Sequence, residues 1–304
     1  MVIATNPAGP VSRWLSCLGI DAHVGTRRTR TASCIICPMP TVRANGLEIG
    51  YDVLGAGPPI VMLHAGSSTG RADFAAQLTL FKKAFCVYLP DARGHGRTRW
   101  DTAAGYTNAM LVDDTFAFVD ALGIETFHLL GVSMGAMTAL HVATRQPGRI
   151  RTLVAIGTTT QREPRASVVR RTLDPERIER EDSPWAARLH TLHDPKQGAG
   201  AWQRLLPAIA QDVAGQPLLS PRDLHRIDAP TLVAVGDRDP FVPVDHAWGL
   251  KRQLPDAHLL VVPDCGHEVA AKRPAILNEA LTTFYRSTEA IAARRAERTG
   301  GTAT

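Results

Sequence analysis

The run Leu129 to Leu140, "LLGVSMGAMTAL", sets one hydroxyl, Ser133, between Gly131 and Gly135 in otherwise apolar surroundings. A serine on a sharp strand-to-helix turn projects its Oγ above the sheet. Side chains two positions to either side would collide there, so the two glycines fit a nucleophile elbow. A hydroxyl attacks a carbonyl carbon only when a base takes its proton. Of the eleven histidines, His267 in "VVPDCGHEVA" follows the last expected strand, on the same strand-end side as Ser133, whereas His128 and His141 fall inside a strand and a helix. A carboxylate must then orient the imidazole. "VAVGDRDPFVP" offers Asp237 and Asp239 just after the preceding strand. Asp239 is the expected partner, because the residue directly after a strand turns the chain, and one further out, fixed by Pro240 and Pro243, reaches across. Ser133, Asp239 and His267, in that chain order, predict acyl-transfer chemistry.

These residues need a scaffold that brings distant loops to one edge. From Pro40 onward the chain alternates short apolar runs with amphipathic ones. "PPIVMLHAG", "FCVYLPD", "FHLLGV", "RTLVAIG", "PTLVAVG" and "HLLVVP" read as buried strands, and "AMLVDDTFAFVDAL", "MGAMTALHVATRQ", "HAWGLKRQL" and "PAILNEALTTFYRS" as helices. Such alternation predicts an α/β fold, a mostly parallel twisted sheet with helices on both faces, whose ligand sites lie at the carboxyl ends of the strands. "TVRANGLEIGYDV" adds a hairpin around Asn45-Gly46. The alternation lapses between about 158 and 228, a length that predicts a helical lid insertion. The expected organisation is a disordered leader over 1–39, a domain over 40–286 and a flexible tail over 287–304. Met39 stands as a plausible internal start.

The net charge of +5 and pI near 9.1 invite a nucleic-acid reading. The charge is in the ends, however: residues 1–39 carry four arginines against one aspartate, and 286–304 four arginines against two glutamates, leaving 40–285 neutral. With no aromatic-interleaved basic patch or reader motif, no nucleic-acid partner is expected. No apolar run approaches the ~20 residues that span a bilayer, and the leader lacks a secretory signal's apolar stretch and cleavage site, so a cytoplasmic location is expected. "CIIC" in the leader has no second pair at zinc spacing, and His190 and His193, three apart on an expected helix, lack a third ligand, so no metal is expected. Trp185, Trp202, His190 and His193 are candidates to line a pocket, although packing is the commoner use of such aromatics.

Together "LHAG", "DARGHGRT", "GVSMGA", "GDRDPFVP" and "DCGH", spread over about Thr41 to Arg286, resemble the α/β-hydrolase superfamily in its lid-bearing serine esterase, lactonase and cofactor-free perhydrolase branch. The resemblance implies an acyl-enzyme mechanism on Ser133, His267 and Asp239, with an oxyanion hole from the amides of Met134 and Gly66 and no cofactor. Relatives usually read His-Gly-x at the second donor, and Ala65 departs from that. The expected substrate is a small carboxylic ester or lactone. Perhydrolase or haloperoxidase chemistry, thioester cleavage and carbon–carbon bond hydrolysis use the same residues and stay open. A non-catalytic ligand sensor on the same body is the alternative of another class. Oligomeric state is not readable.

Overall fold

A computed structural model describes residues 40–300, with side chains described through residue 288. The expected leader over 1–39 lies outside the described residues. Eight strands form one sheet in the order β1-β2-β4-β3-β5-β6-β7-β8: β1 Thr41–Ala44, β2 Leu47–Leu54, β3 Pro59–Leu63, β4 Cys86–Pro90, β5 Phe127–Val132, β6 Ile150–Ile156, β7 Thr231–Gly236 and β8 Ala257–Val262. β1 pairs antiparallel with β2, and β2 antiparallel with β4, while every other pairing is parallel. The β1–β2 hairpin closes on Asn45 (φ 48°) and Gly46 (φ 73°). Two consecutive residues at positive φ match the twist of the flanking strands, which is why an Asn-Gly pair sits there.

The helices are α1 Gly70–Asp73, α2 Ala75–Phe81, α3 Asn108–Ala121, α4 Met134–Arg145, α5 Arg165–Thr172, α6 Pro175–Glu181, α7 Ser183–Gln197, α8 Ala201–Gly215, α9 Pro221–Leu224, α10 Val244–Gln253, α11 Val269–Lys272 and α12 Pro274–Gly300. Strands β5 and β7 are buried along their whole length, as a sheet covered on both faces requires. One face packs Phe116 and Val119 of α3, Leu140 and Val142 of α4 and Leu250 of α10. The other packs Phe81 of α2, Phe85, and Leu277, Leu281 and Phe284 of α12.

Between β6 and β7 the chain leaves the sheet and folds into α5–α9, a helical insertion. Its own core joins Ala166, Val169, Ile178, Leu189, Trp202, Leu205, Leu206 and Ile209 to Tyr106 and Leu111 of the body. Trp202 and Leu189 are fully buried in that cluster, so Trp202 packs the insertion together and does not line an opening. At the other end, α12 runs to Gly300, past the boundary at 286 where the sequence reading expects a tail. The residues beyond 286 are rich in alanine and arginine, both good helix formers, and simply extend the helix.

Candidate active site

Parallel strands deliver their C-terminal loops to one edge, and five of those loops meet here. Ser133 follows β5, Gly66 follows β3, Gly157 follows β6, Asp239 follows β7 and His267 follows β8. Ser133 has φ 53° and ψ −110°, a conformation that costs an L-residue about 1–3 kcal/mol and survives only when its surroundings over-determine it. Both neighbours do so. A Cβ on Gly131 would lie 2.3 Å from the carbonyl oxygen of Gly135, and a Cβ on Gly135 would lie 2.1 Å from that of Leu63. The glycines are therefore a steric requirement. The amide of Ser133 donates to the carbonyl of Ile156 at 2.8 Å, tying the turn to β6.

His267 Nε2 stands 2.8 Å from Ser133 Oγ, and His267 Nδ1 stands 2.7 Å from Asp239 Oδ2. With a carboxylate at Nδ1, that nitrogen carries the proton, which leaves Nε2 as the acceptor of the serine O–H. The other carboxylate oxygen, Asp239 Oδ1, accepts the amides of Phe241 at 2.8 Å and Val242 at 3.1 Å. An Asx-type turn, more than the two prolines, thus fixes this side chain. Asp237 points elsewhere: its Oδ1 accepts the amide of Cys265 at 3.0 Å, bracing the loop that carries His267. The ring of Phe241 lies 4.3 Å from that of His267 at 34°, and the α-carbon of Gly157 is so close that an added Cβ would sit 3.0 Å from the imidazole Cε1. Phe241 and Gly157 both crowd the imidazole.

Met134 is the first residue of α4, where the helix itself supplies no partner for the amide. The β3 loop is pinned beside it, because Gly135 donates to the carbonyl of His64 at 3.1 Å. His64 is a brace: Nδ1–H donates to the Ala65 carbonyl at 2.7 Å and Nε2 accepts the Ala92 amide at 2.9 Å, which uses both ring nitrogens. Ala65, the departure from the usual glycine, donates its amide to Asp73 Oδ2 at 2.7 Å. Burial raises the pKa of that carboxyl, against the pull of His64 and its hydrogen bonds. The Gly66 carbonyl faces His95 Nε2 at 3.0 Å, and His95 Nδ1 faces the Arg93 carbonyl at 2.9 Å. Full burial, together with His64 and His193, holds the pKa of His95 well below the ordinary histidine value.

"DARGHGRT" builds the floor beneath these loops. Arg93 and Asp114 form a buried two-pronged pair, Nε to Oδ2 and Nη2 to Oδ1, each at 2.6 Å. Arg97 Nε donates to Asp91 Oδ2 at 2.6 Å. Thr98 Oγ1 donates to the Asp91 carbonyl at 2.6 Å and accepts the Gly50 amide at 3.0 Å, filling the role of a serine. The insertion clasps the same loop: His193 Nδ1 accepts the Gly96 amide at 3.2 Å, and Gln197 Nε2 donates to the Thr98 carbonyl at 2.6 Å. His190 turns outward to Asp194 at 2.7 Å, so the two histidines do not share a ligand position. Among the described residues, no cluster of three histidines, cysteines or carboxylates is arranged to hold a metal ion, and no helix is long and apolar enough to cross a membrane.

Three contributors to this site are not legible from local sequence: Phe241 on the imidazole, His95 beneath Gly66, and Ile209 of α8. The Cδ1 and Cγ2 atoms of Ile209 lie 3.3 Å from where a Gly66 Cβ would be. Only the "GHG" within "DARGHGRT" hinted at one of them.

Comparison with known proteins agrees with this architecture. The chain is 31% identical over 263 residues to a 2-hydroxy-6-oxo-6-phenylhexa-2,4-dienoate hydrolase of Burkholderia cepacia, covering 75% of this chain and 88% of that one. It is 28% identical over 265 residues to the human serine hydrolase BPHL, covering 84% and 89%. Among solved structures, Est816, described as an N-acyl homoserine lactone degrading enzyme, superposes with a TM-score of 0.66 at 29% identity, covering 81% of this chain and all of that one. Residues 60–280 match the alpha/beta hydrolase family, and the chain belongs to it.

Proposed function

We propose that the protein is a serine hydrolase that cleaves a small carboxylic ester or lactone through an acyl-enzyme. The observation that carries this reading is the continuous hydrogen-bonded chain from Ser133 Oγ through His267 to Asp239. His267 Nε2 takes the Ser133 proton as Oγ attacks the carbonyl carbon. The amides of Met134 and Gly66 hold the oxyanion, and His267 returns the proton to the leaving alkoxide. Water, deprotonated by the same imidazole, then attacks the acyl carbon and releases Ser133. Asp239 keeps the Nδ1–H tautomer and stabilises the imidazolium that forms in each half. The helical insertion α5–α9 acts as a lid over the acyl group and excludes water from the oxyanion.

The test is direct. Purified protein should release p-nitrophenol from p-nitrophenyl acetate, and Ser133→Ala should reduce kcat to background. A rate unaffected by that substitution ends the proposal. A second reading, hydrolysis of a carbon–carbon bond, is favoured by the 31% identity to the Burkholderia dienoate hydrolase. It predicts turnover of a 2-hydroxy-6-oxo-dienoate with a kcat/KM above that for simple esters, again dependent on Ser133.

A further inference from the structure

The position of α8 over the oxyanion loop bears on which acyl groups fit. In the tetrahedral intermediate the reacting carbon carries four groups: Ser133 Oγ, the oxyanion, the leaving group and the acyl chain. The leaving oxygen must take its proton from His267 Nε2, so the leaving group lies on the side of His267 and Phe241. The oxyanion faces the Met134 and Gly66 amides. The acyl chain is left with the remaining direction, away from His267 and along the wall beside Gly66. On that wall stands Ile209, 3% exposed, held in the insertion core with Trp202, Leu205 and Leu206. Its two terminal methyl carbons lie 3.3 Å from the Cβ position of Gly66, and Met134 Sδ lies 3.5 Å from the same point. Tyr106 O–H donates to Met134 Sδ at 3.0 Å, so the thioether cannot swing aside without losing that bond. Leu205, one turn earlier on α8, is wedged toward Gly94 and Trp100. The wall is apolar, close and braced from behind.

We infer that Ile209 sets the length of the acyl group, restricting the enzyme to short unbranched acyl chains such as acetyl and butanoyl, with the alcohol side left comparatively free. This rests on Ser133 being the nucleophile. A close-packed interior does not yield smoothly, so a longer chain meets the β-branched side chain of Ile209 head on. Shortening that side chain to a methyl removes three carbons from the path, and an apolar pocket discriminates by roughly tenfold or more per group of this size.

The experiment measures kcat/KM for p-nitrophenyl acetate, butanoate and octanoate, and separately for ethyl and octyl acetate by pH-stat, with wild type, Ile209→Ala, Ile209→Val and Ile209→Phe. Thermal melts are recorded for each variant. The expected result is a steep fall from butanoate to octanoate in wild type. The octanoate-to-acetate ratio should rise about tenfold in Ile209→Ala, rise less in Ile209→Val and fall in Ile209→Phe, while the octyl-to-ethyl ratio keeps its wild-type value. An octanoate-to-acetate ratio near one in wild type, or one that does not move across the folded variants, overturns the inference. So does a change confined to the alcohol series. Ile209→Val removes a single methylene and keeps the test available if the alanine variant melts early. Loss of all Ser133-dependent turnover in wild type would instead count against the proposed function, which separates the two failures.

Discussion

Asp239 and His267 meet at 2.7 Å with one carboxylate oxygen, while the other oxygen is committed to two backbone amides. Asp237, two residues away, is committed to the amide of Cys265. The two aspartates should therefore respond differently to amide substitution. Asp239→Asn presents an N–H or a weaker acceptor to Nδ1 and should lower kcat for p-nitrophenyl acetate by about 10⁴ with little change in KM. Asp237→Asn should keep kcat within about threefold and lower the melting temperature by a few degrees. Equal losses in kcat for both would remove the distinction.

The elbow glycines make a second case. Gly131→Ala places a methyl 2.3 Å from a backbone carbonyl that has nowhere to go. Backbone overlap of this kind should cost at least about 3 kcal/mol, and activity and soluble yield should fall together. Gly148→Ala, where an added Cβ meets nothing within 4 Å, is the matched control and should fold and turn over normally in the same assay.

Beneath the site, Arg93 and Asp114 are paired with both side chains under a tenth exposed. Removing one partner strands the other charge away from water. Asp114→Asn should destabilise by about 3–5 kcal/mol in urea unfolding. The double variant Arg93→Met/Asp114→Leu, which leaves no charge behind, should recover part of that loss. A double variant as unstable as the sum of the singles would mean that the pair contributes through shape alone.

Stability should also fall on mild acidification. Burial, above all, lowers the pKa of His193 to about 4, and its Nδ1 is already occupied by the Gly96 amide. The unfolded chain, with a histidine near 6.5, takes up a proton that the folded one refuses between pH 6.5 and about 4. The stabilisation is thus complete above pH 6.5 and is lost as pH falls toward 4, by on the order of 3 kcal/mol. His128, also lowered to about 4 by burial, titrates in the same window. Raised Asp73 works in the opposite sense. His193→Gln should flatten the pH slope of the urea midpoint between pH 7 and 5 relative to wild type. A slope identical in the two proteins would exclude His193 as a source.

The sequence carried the scaffold because strand runs such as "FHLLGV" and "TLVAVG" are buried on both faces, and that burial is written in consecutive residues. Asn45-Gly46 was equally plain, since only a few residue pairs accept two positive φ angles. Ser133, Asp239 and His267 could be named because each lies a short, typical distance after a strand. Phe241, His95 and Ile209 could not. Their importance depends on contacts across tens to more than a hundred residues, and on how α8 docks, neither of which leaves a local pattern. His190 and His193 show the converse. Spacing of three suggested a shared face, yet a helix surface turned partly inward buries one in the 94–98 loop and leaves the other in water. The end of α12 escaped for a simpler reason: alanine and arginine read as a tail or as a helix with equal ease.

The juxtaposition of Ser133 and His267 spans 134 positions of chain and closes only when β5, β6, β7 and β8 have all found their parallel neighbours. Parallel pairings between segments distant in sequence, such as Leu153 with Thr231 across β6 and β7, are slow steps of chain assembly. Hydrolytic activity in a refolding chain would therefore serve as a clock for the last long-range pairing, lagging the return of helical dichroism by the time the sheet needs to zip shut.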